Sequence, residues 1–96
     1  MSDTVTRTIT KLERPSFWTV IFLNDDYTPM PFVEQVLITF YHKMPDDARQ
    51  ITLLIHQEGR AKVGSYTYEV ACHKADQTLL FCCIAQHPLQ VYPERL

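Results

Sequence analysis

Phe17-Trp18-Thr19-Val20-Ile21-Phe22-Leu23 runs directly into Asn24-Asp25-Asp26-Tyr27-Thr28-Pro29, and the break between these two compositions organises the whole chain. The first stretch is aromatic and β-branched with apolar residues at both parities, the pattern of a central strand buried on both faces. The second is a run of turn formers, so the strand is expected to end near Leu23 and pass into a loop. Pro31 suits the first turn of a helix, and Phe32, Val33, Val36, Leu37, Phe40 and Tyr41 then recur at helical spacing. Pro45 breaks that helix. Asp46 is the expected N-cap of a second one, which carries Ala48, Ile51, Thr52, Leu54 and Ile55 and stops at Gly59. His56 falls in its last turn, one turn beyond Thr52.

Residues 60–67 read as a strand through Ala61, Val63 and Tyr66, weakened at Gly64. Residues 68–86 fit a helix, because their length without a turn signal exceeds that of a usual strand. Pro88 ends it. Leu89-Gln90-Val91-Tyr92 can form a short closing strand, with Pro93 after it. Upstream, Thr4, Thr6, Thr8 and Thr10 alternate with Val5 and Ile9, but a polar terminus reads better as a mobile arm than as an edge strand. The expected organisation is an arm over residues 1–15 and one domain over 16–96. Its order, β-α-α-β-α-β, implies an α+β fold: a three-stranded sheet with the helices packed on one face.

Composition narrows the function. With 96 residues, 46% hydrophobic and 21% charged, the chain can build one compact core. A formal charge of −2 with scattered Lys and Arg gives no footprint for nucleic acid. No apolar stretch approaches the roughly 20 residues of a membrane span, and no signal-peptide core is present. Three cysteines, two of them adjacent, do not make a disulfide framework, so a cytoplasmic location is expected. Cys72-His73, Cys82-Cys83 and His87 contain no C-x-x-C pair, and two glycines cannot build a phosphate loop. No metal, no cofactor and no catalytic constellation is expected.

The segment Val20-Ile21-Phe22-Leu23-Asn24-Asp25-Asp26-Tyr27-Thr28-Pro29-Met30 closely resembles the signature of the ClpS family of Clp protease adaptors. Further likenesses follow in order: Phe32-Val33 and Val36-Leu37, Ile55-His56 with Gly59, Thr67 with Glu69-Val70-Ala71 and Lys74, and His87-Pro88-Leu89. The resemblance implies a fold like that of the ribosomal-stalk C-terminal domain, and an adaptor, not an enzyme. Such an adaptor binds substrates whose N-terminal residue is Leu, Phe, Tyr or Trp and passes them to the unfoldase of the ClpAP protease. Carried onto this chain, Asn24, Asp25, Asp26 and His56 would hold the substrate α-amino group. Phe22, Thr28, Met30, Val33, Thr52, Ile55 and Leu89 would form the apolar pocket, with Phe22 beneath it. Tyr27, Glu69 and Lys74 would touch the N-terminal domain of a ClpA-type AAA+ unfoldase. A monomer is expected.

The chemistry suits those residue types. A free α-amino group is a cation with three N–H donors, and Asn24, a carboxylate and neutral His56 supply three acceptors. If the chain stays extended past Leu23, alternation puts Asn24 and Asp26 on one side, assigning direct contact to Asp26 and a water-mediated or structural role to Asp25. Met30, unbranched and adaptable, suits a gate that rejects Cβ-branched first residues. Three departures from the family pattern stand out: Phe22 is bulkier than its usual counterpart, Thr52 is smaller and more polar, and Leu79-Leu80-Phe81-Cys82-Cys83-Ile84 is unusually apolar. The last marks either an altered docking face or a self-association patch. Two competing readings remain, a docking module without N-terminal capture and a small thiol enzyme. Convergence of Asn24, Asp26 and His56 would discriminate against the first, and selective labelling of Cys72, Cys82 or Cys83 near neutral pH would favour the second.

Overall fold

A computed structural model describes residues 17–96; the expected arm over residues 1–15 lies outside them. The elements are β1 (Trp18–Leu23), α1 (Met30–Tyr41), α2 (Pro45–Glu58), β2 (Arg60–Lys62), α3 (Tyr68–Ile84) and β3 (Gln90–Arg95). The sheet is antiparallel with order β2-β1-β3, so the apolar run at 17–23 is the central strand, as its two-sided pattern requires.

Register divides the strand residues between two faces. Val20 and Phe22 share a face with Ala61 and Val91, and these join Val33, Val36, Leu37, Ile55, Ala71, Ala75 and Cys82 in one core beneath the helices. The other face carries Thr19 and Ile21, also fully buried. Arg60, opposite Leu23, and Glu94, opposite Thr19, belong to this second face, and their 2.9 Å ion pair ties β2 to β3 across the central strand. Tyr41 locks α1 to α3: its hydroxyl lies 2.7 Å from Thr78 Oγ1, and its ring packs edge-on against Phe22.

The structure corrects the expected boundaries in three places. The strand expected over 60–67 is regular only to Lys62. Continuing the Ile21–Lys62 register would pair Trp18 with Ser65, yet Trp18 pairs with Tyr66, so one extra residue is accommodated near Gly64. A side chain at Gly64 would meet the Tyr66 phenol at 2.7 Å. Asp46 does not cap α2. Met44 is the N-cap, with Pro45 in the first turn, and Asp46 and Asp47 follow where negative charge favours the helix N-terminus. Pro93 does not end β3 but sits inside it, opposite Val20. Val20 accepts a hydrogen bond from Val63 on its other side, so its polar groups point away from β3 and the missing N–H of Pro93 on this edge strand costs nothing.

Candidate functional site

The motif loop is built by one side chain. Asp25 Oδ1 accepts the amides of Tyr27 at 2.8 Å and Thr28 at 2.7 Å, an Asx turn that folds residues 25–28 back on themselves. Pro29 and Pro31 then start α1 without an N–H to satisfy. The loop is fastened to the far end of α2, where Gly59 takes φ +88° and the Asn24 amide donates to the Gly59 carbonyl at 2.8 Å. One hydrogen bond thus brings the strand end and the last turn of α2 together, which sets Asn24 near His56.

Between them lies a half-open hollow of about 260 Å³, part of it continuous with solvent. Its polar wall is Asn24, Asp25, Thr28 and His56; its apolar wall is Leu23, Met30, Val33, Ile55 and Leu89, with Thr52 among them. The apolar members are deeply set, with Val33, Thr52, Ile55 and Leu89 all buried, whereas Asn24 and His56 are exposed at the mouth.

Two polar atoms in this wall, Asp25 Oδ2 and Thr28 Oγ1, are buried and have no hydrogen-bond partner among the described residues. Buried polar atoms are almost always paired, and the Thr28 hydroxyl is the neighbour close enough to act on the Asp25 carboxyl. Burial works against ionisation of Asp25, but the Thr28 and Tyr27 amides, the Thr28 hydroxyl and the nearby His87 outweigh it and hold the carboxyl below its ordinary range. The site therefore offers a charged carboxyl, with Oδ1 committed to the loop amides, in the polar wall of the hollow.

Most of the expected residues meet here: Asn24, Asp25, His56, Thr28, Met30, Val33, Thr52, Ile55 and Leu89. Two do not. Asp26 is exposed and outside the hollow, because the Asx turn ends the alternation that assigned it direct contact. Phe22 is fully buried in the core against Tyr41 and is no part of the lining. Leu23, which alternation did not single out, lines it instead. Tyr27 and Glu69 are exposed, as docking residues must be. Lys74 is half-buried: its ammonium donates to the Phe40 carbonyl at 2.9 Å and lies 5.3 Å and 5.5 Å from the Tyr41 and Tyr66 ring centres.

The Cys82 thiol is not an activated nucleophile. Cys82 is buried, and burial together with the neighbouring Asp25 charge pushes its pKa up to about 11, the reverse of an activated nucleophile. Among the described residues, no three His, Cys, Asp or Glu side chains gather as a metal site, and no helix is long and apolar enough to cross a membrane.

Comparison with known proteins agrees with this geometry. The family model for "ATP-dependent Clp protease adaptor protein ClpS" matches residues 13–92. Adapter proteins named ClpS from Brucella canis and Maricaulis maris are 48% and 49% identical, over 95% and 96% of this chain and 78% and 83% of theirs. Among solved structures, Agrobacterium tumefaciens ClpS2 bound to L-phenylalaninamide superposes with a TM-score of 0.84 at 32% identity, covering 86% of this chain and all of that one. The chain belongs to the ClpS family of ATP-dependent Clp protease adaptor proteins, which are adaptors and not enzymes.

Proposed function

We propose that this protein captures other proteins by a free N-terminus bearing Leu, Phe, Tyr or Trp and delivers them to a ClpA-type AAA+ unfoldase for degradation by ClpAP in the cytoplasm. The observation that carries this reading is the lining of one hollow by Asn24, Asp25 and His56 together with Met30, Val33, Ile55 and Leu89. A carboxylate oxygen beside Asn24 and His56 matches an ammonium with three donors, and the adjoining apolar wall matches one hydrophobic side chain. L-phenylalaninamide, bound by the structural neighbour, carries both a free α-amino group and an aromatic side chain. Asp25 takes the role of direct contact that alternation assigned to Asp26.

The energetics are adequate. Burying one Leu or Phe contributes roughly 1.5–3 kcal/mol, and each charge-assisted hydrogen bond roughly the same. One side chain with two or three such bonds, less association entropy, gives micromolar or somewhat tighter binding. An acetylated N-terminus lacks the charge and leaves Asp25 unpaired. A charged first side chain cannot enter the apolar end. For delivery, the exposed Tyr27 and Glu69 and the half-buried Lys74 are the candidates for contact with the unfoldase N-terminal domain.

Titration of labelled peptides beginning with Leu, Phe, Trp, Arg and acetyl-Leu tests capture. Binding of the first three alone supports it; equal binding of acetyl-Leu and Leu would leave a docking module without N-terminal recognition.

A further inference from the structure

α3 carries two stripes where a helix packed on one side of a sheet needs only one. Ala71, Ala75, Thr78 and Cys82 are buried against the rest of the domain. On the opposite side of the helix, Val70, His73, Gln77, Leu80 and Ile84 recur at alternating intervals of three and four residues, and all five are exposed. The apolar members open toward the C-terminal end: Val70 is 42% exposed, Leu80 63% and Ile84 72%. Spacing of this kind keeps one face turned toward a second helix, and contiguous apolar surface marks an interaction site in soluble proteins. None of the five residues lines the hollow.

Charge divides the helix in two. Glu69, Lys74 and Asp76 lie in its first half, whereas residues 77–86 contain no Asp, Glu, Lys, Arg or His. The exposed Leu79, Phe81 and Cys83 widen this uncharged half. Such a face has nothing with which to match a charged partner, but it matches itself. A second copy brings apolar surface against apolar surface and opposes no like charges.

We propose that the C-terminal half of α3 is the contact between two copies of this chain, which pair antiparallel about a two-fold axis near residue 82. That register sets Leu80 of one copy against Ile84 of the other, twice over, as an isologous contact requires. Sliding the helices by one heptad would instead set Leu80 against Gln77 and Ile84 against His73, apolar on polar. Cys83, exposed and one residue from the axis, falls beside its own counterpart. About two or three helical turns per copy bury less than the roughly 1,200 Å² at which standard interfaces begin, so the dimer is weak and forms with concentration. The proposal is independent of the capture reading.

Sedimentation equilibrium tests it. The mean mass of the wild type should rise from 11.2 kDa toward twice that value between about 2 µM and 200 µM. Leu80→Glu and Ile84→Glu, at exposed positions, should stay monomeric throughout, and thermal melts confirm that each is folded. Leu53→Glu, equally exposed but on α2, should dimerise like the wild type. In a Cys72→Ser background, a short bismaleimide should link two copies through Cys83, and adding Cys83→Ser should abolish the link. A wild type that is monomeric at the highest concentration overturns the proposal, as does a dimer that persists in both Leu80→Glu and Ile84→Glu. A dimer lost in Leu80→Glu yet never linked through Cys83 overturns the antiparallel register. Absence of a dimer together with loss of unfoldase binding in Leu80→Glu would assign this face to the unfoldase instead.

Discussion

Asp25→Asn isolates the charge on which capture depends. An Asn at position 25 still offers Oδ1 to the Tyr27 and Thr28 amides, which now lie at 2.8 Å and 2.7 Å, so the Asx turn survives. The buried Oδ2 is replaced by a neutral donor beside an ammonium. The lost charge-assisted hydrogen bond is worth roughly 1.5–3 kcal/mol, and discounting for the partial exposure of this side chain puts the loss at roughly ten- to fifty-fold in affinity. Asp26→Asn, altering an exposed carboxylate outside the hollow, should change affinity by less than about two-fold. Fluorescence anisotropy with a labelled Phe-initiated peptide measures both, and thermal melts confirm that each variant is folded. If Asp25→Asn binds within two-fold of the wild type, or Asp26→Asn shows the larger loss, the assignment of the ammonium to Asp25 is wrong.

Other consequences are open to direct measurement. Gly59 has φ +88° with nothing within 4 Å of a built Cβ, so Gly59→Ala should destabilise by about 1 kcal/mol through backbone strain alone, read from a denaturation midpoint. The same change should weaken peptide binding, because the Asn24 amide hangs on the Gly59 carbonyl. The folded Cys82 thiol titrates at about 11, above its ordinary 9.0, so its contribution to stability is complete below pH 9.0 and is lost as the pH rises to about 11. The loss is on the order of 2–3 kcal/mol, and Cys82→Ala should flatten that part of the profile; an equally steep fall would exclude Cys82 as its source. Met30→Ala should admit peptides beginning with Ile, and unchanged Leu-over-Ile discrimination would remove Met30 as the gate. Trp18 opens β1 while the hollow lies at its Leu23 end, roughly 16 Å away, so its emission should not respond to peptide; a large shift would mean that the sheet moves on binding.

The apolar run at 17–23 could be read as a central strand because it is short, rich in aromatic and β-branched residues, and closed by turn formers. The helices followed from spacing, and the motif from the order of its residues. Placing His56 near Asn24 needed only the resemblance and a helix that stops at Gly59. Three other features had no local signature. Lys74 looks in sequence like any surface cation, yet it is held by a carbonyl and two rings from elements over thirty residues and eight residues away. The extra residue near Gly64 shows only as a slip between two pairings. Pro93 looks like a strand terminator until the sheet order makes β3 an edge whose partner residue points the other way.

Linear order thus determined the elements, their sequence and the group of residues from which the site is drawn. Which carboxylate of the Asp25-Asp26 pair enters the hollow, and whether Phe22 or Leu23 borders it, was decided by the folded loop. Alternation assigns sides only while a chain remains extended. Once Asp25 captures the amides of Tyr27 and Thr28, the backbone turns, leaving Asp26 exposed and Asp25 in the wall of the hollow.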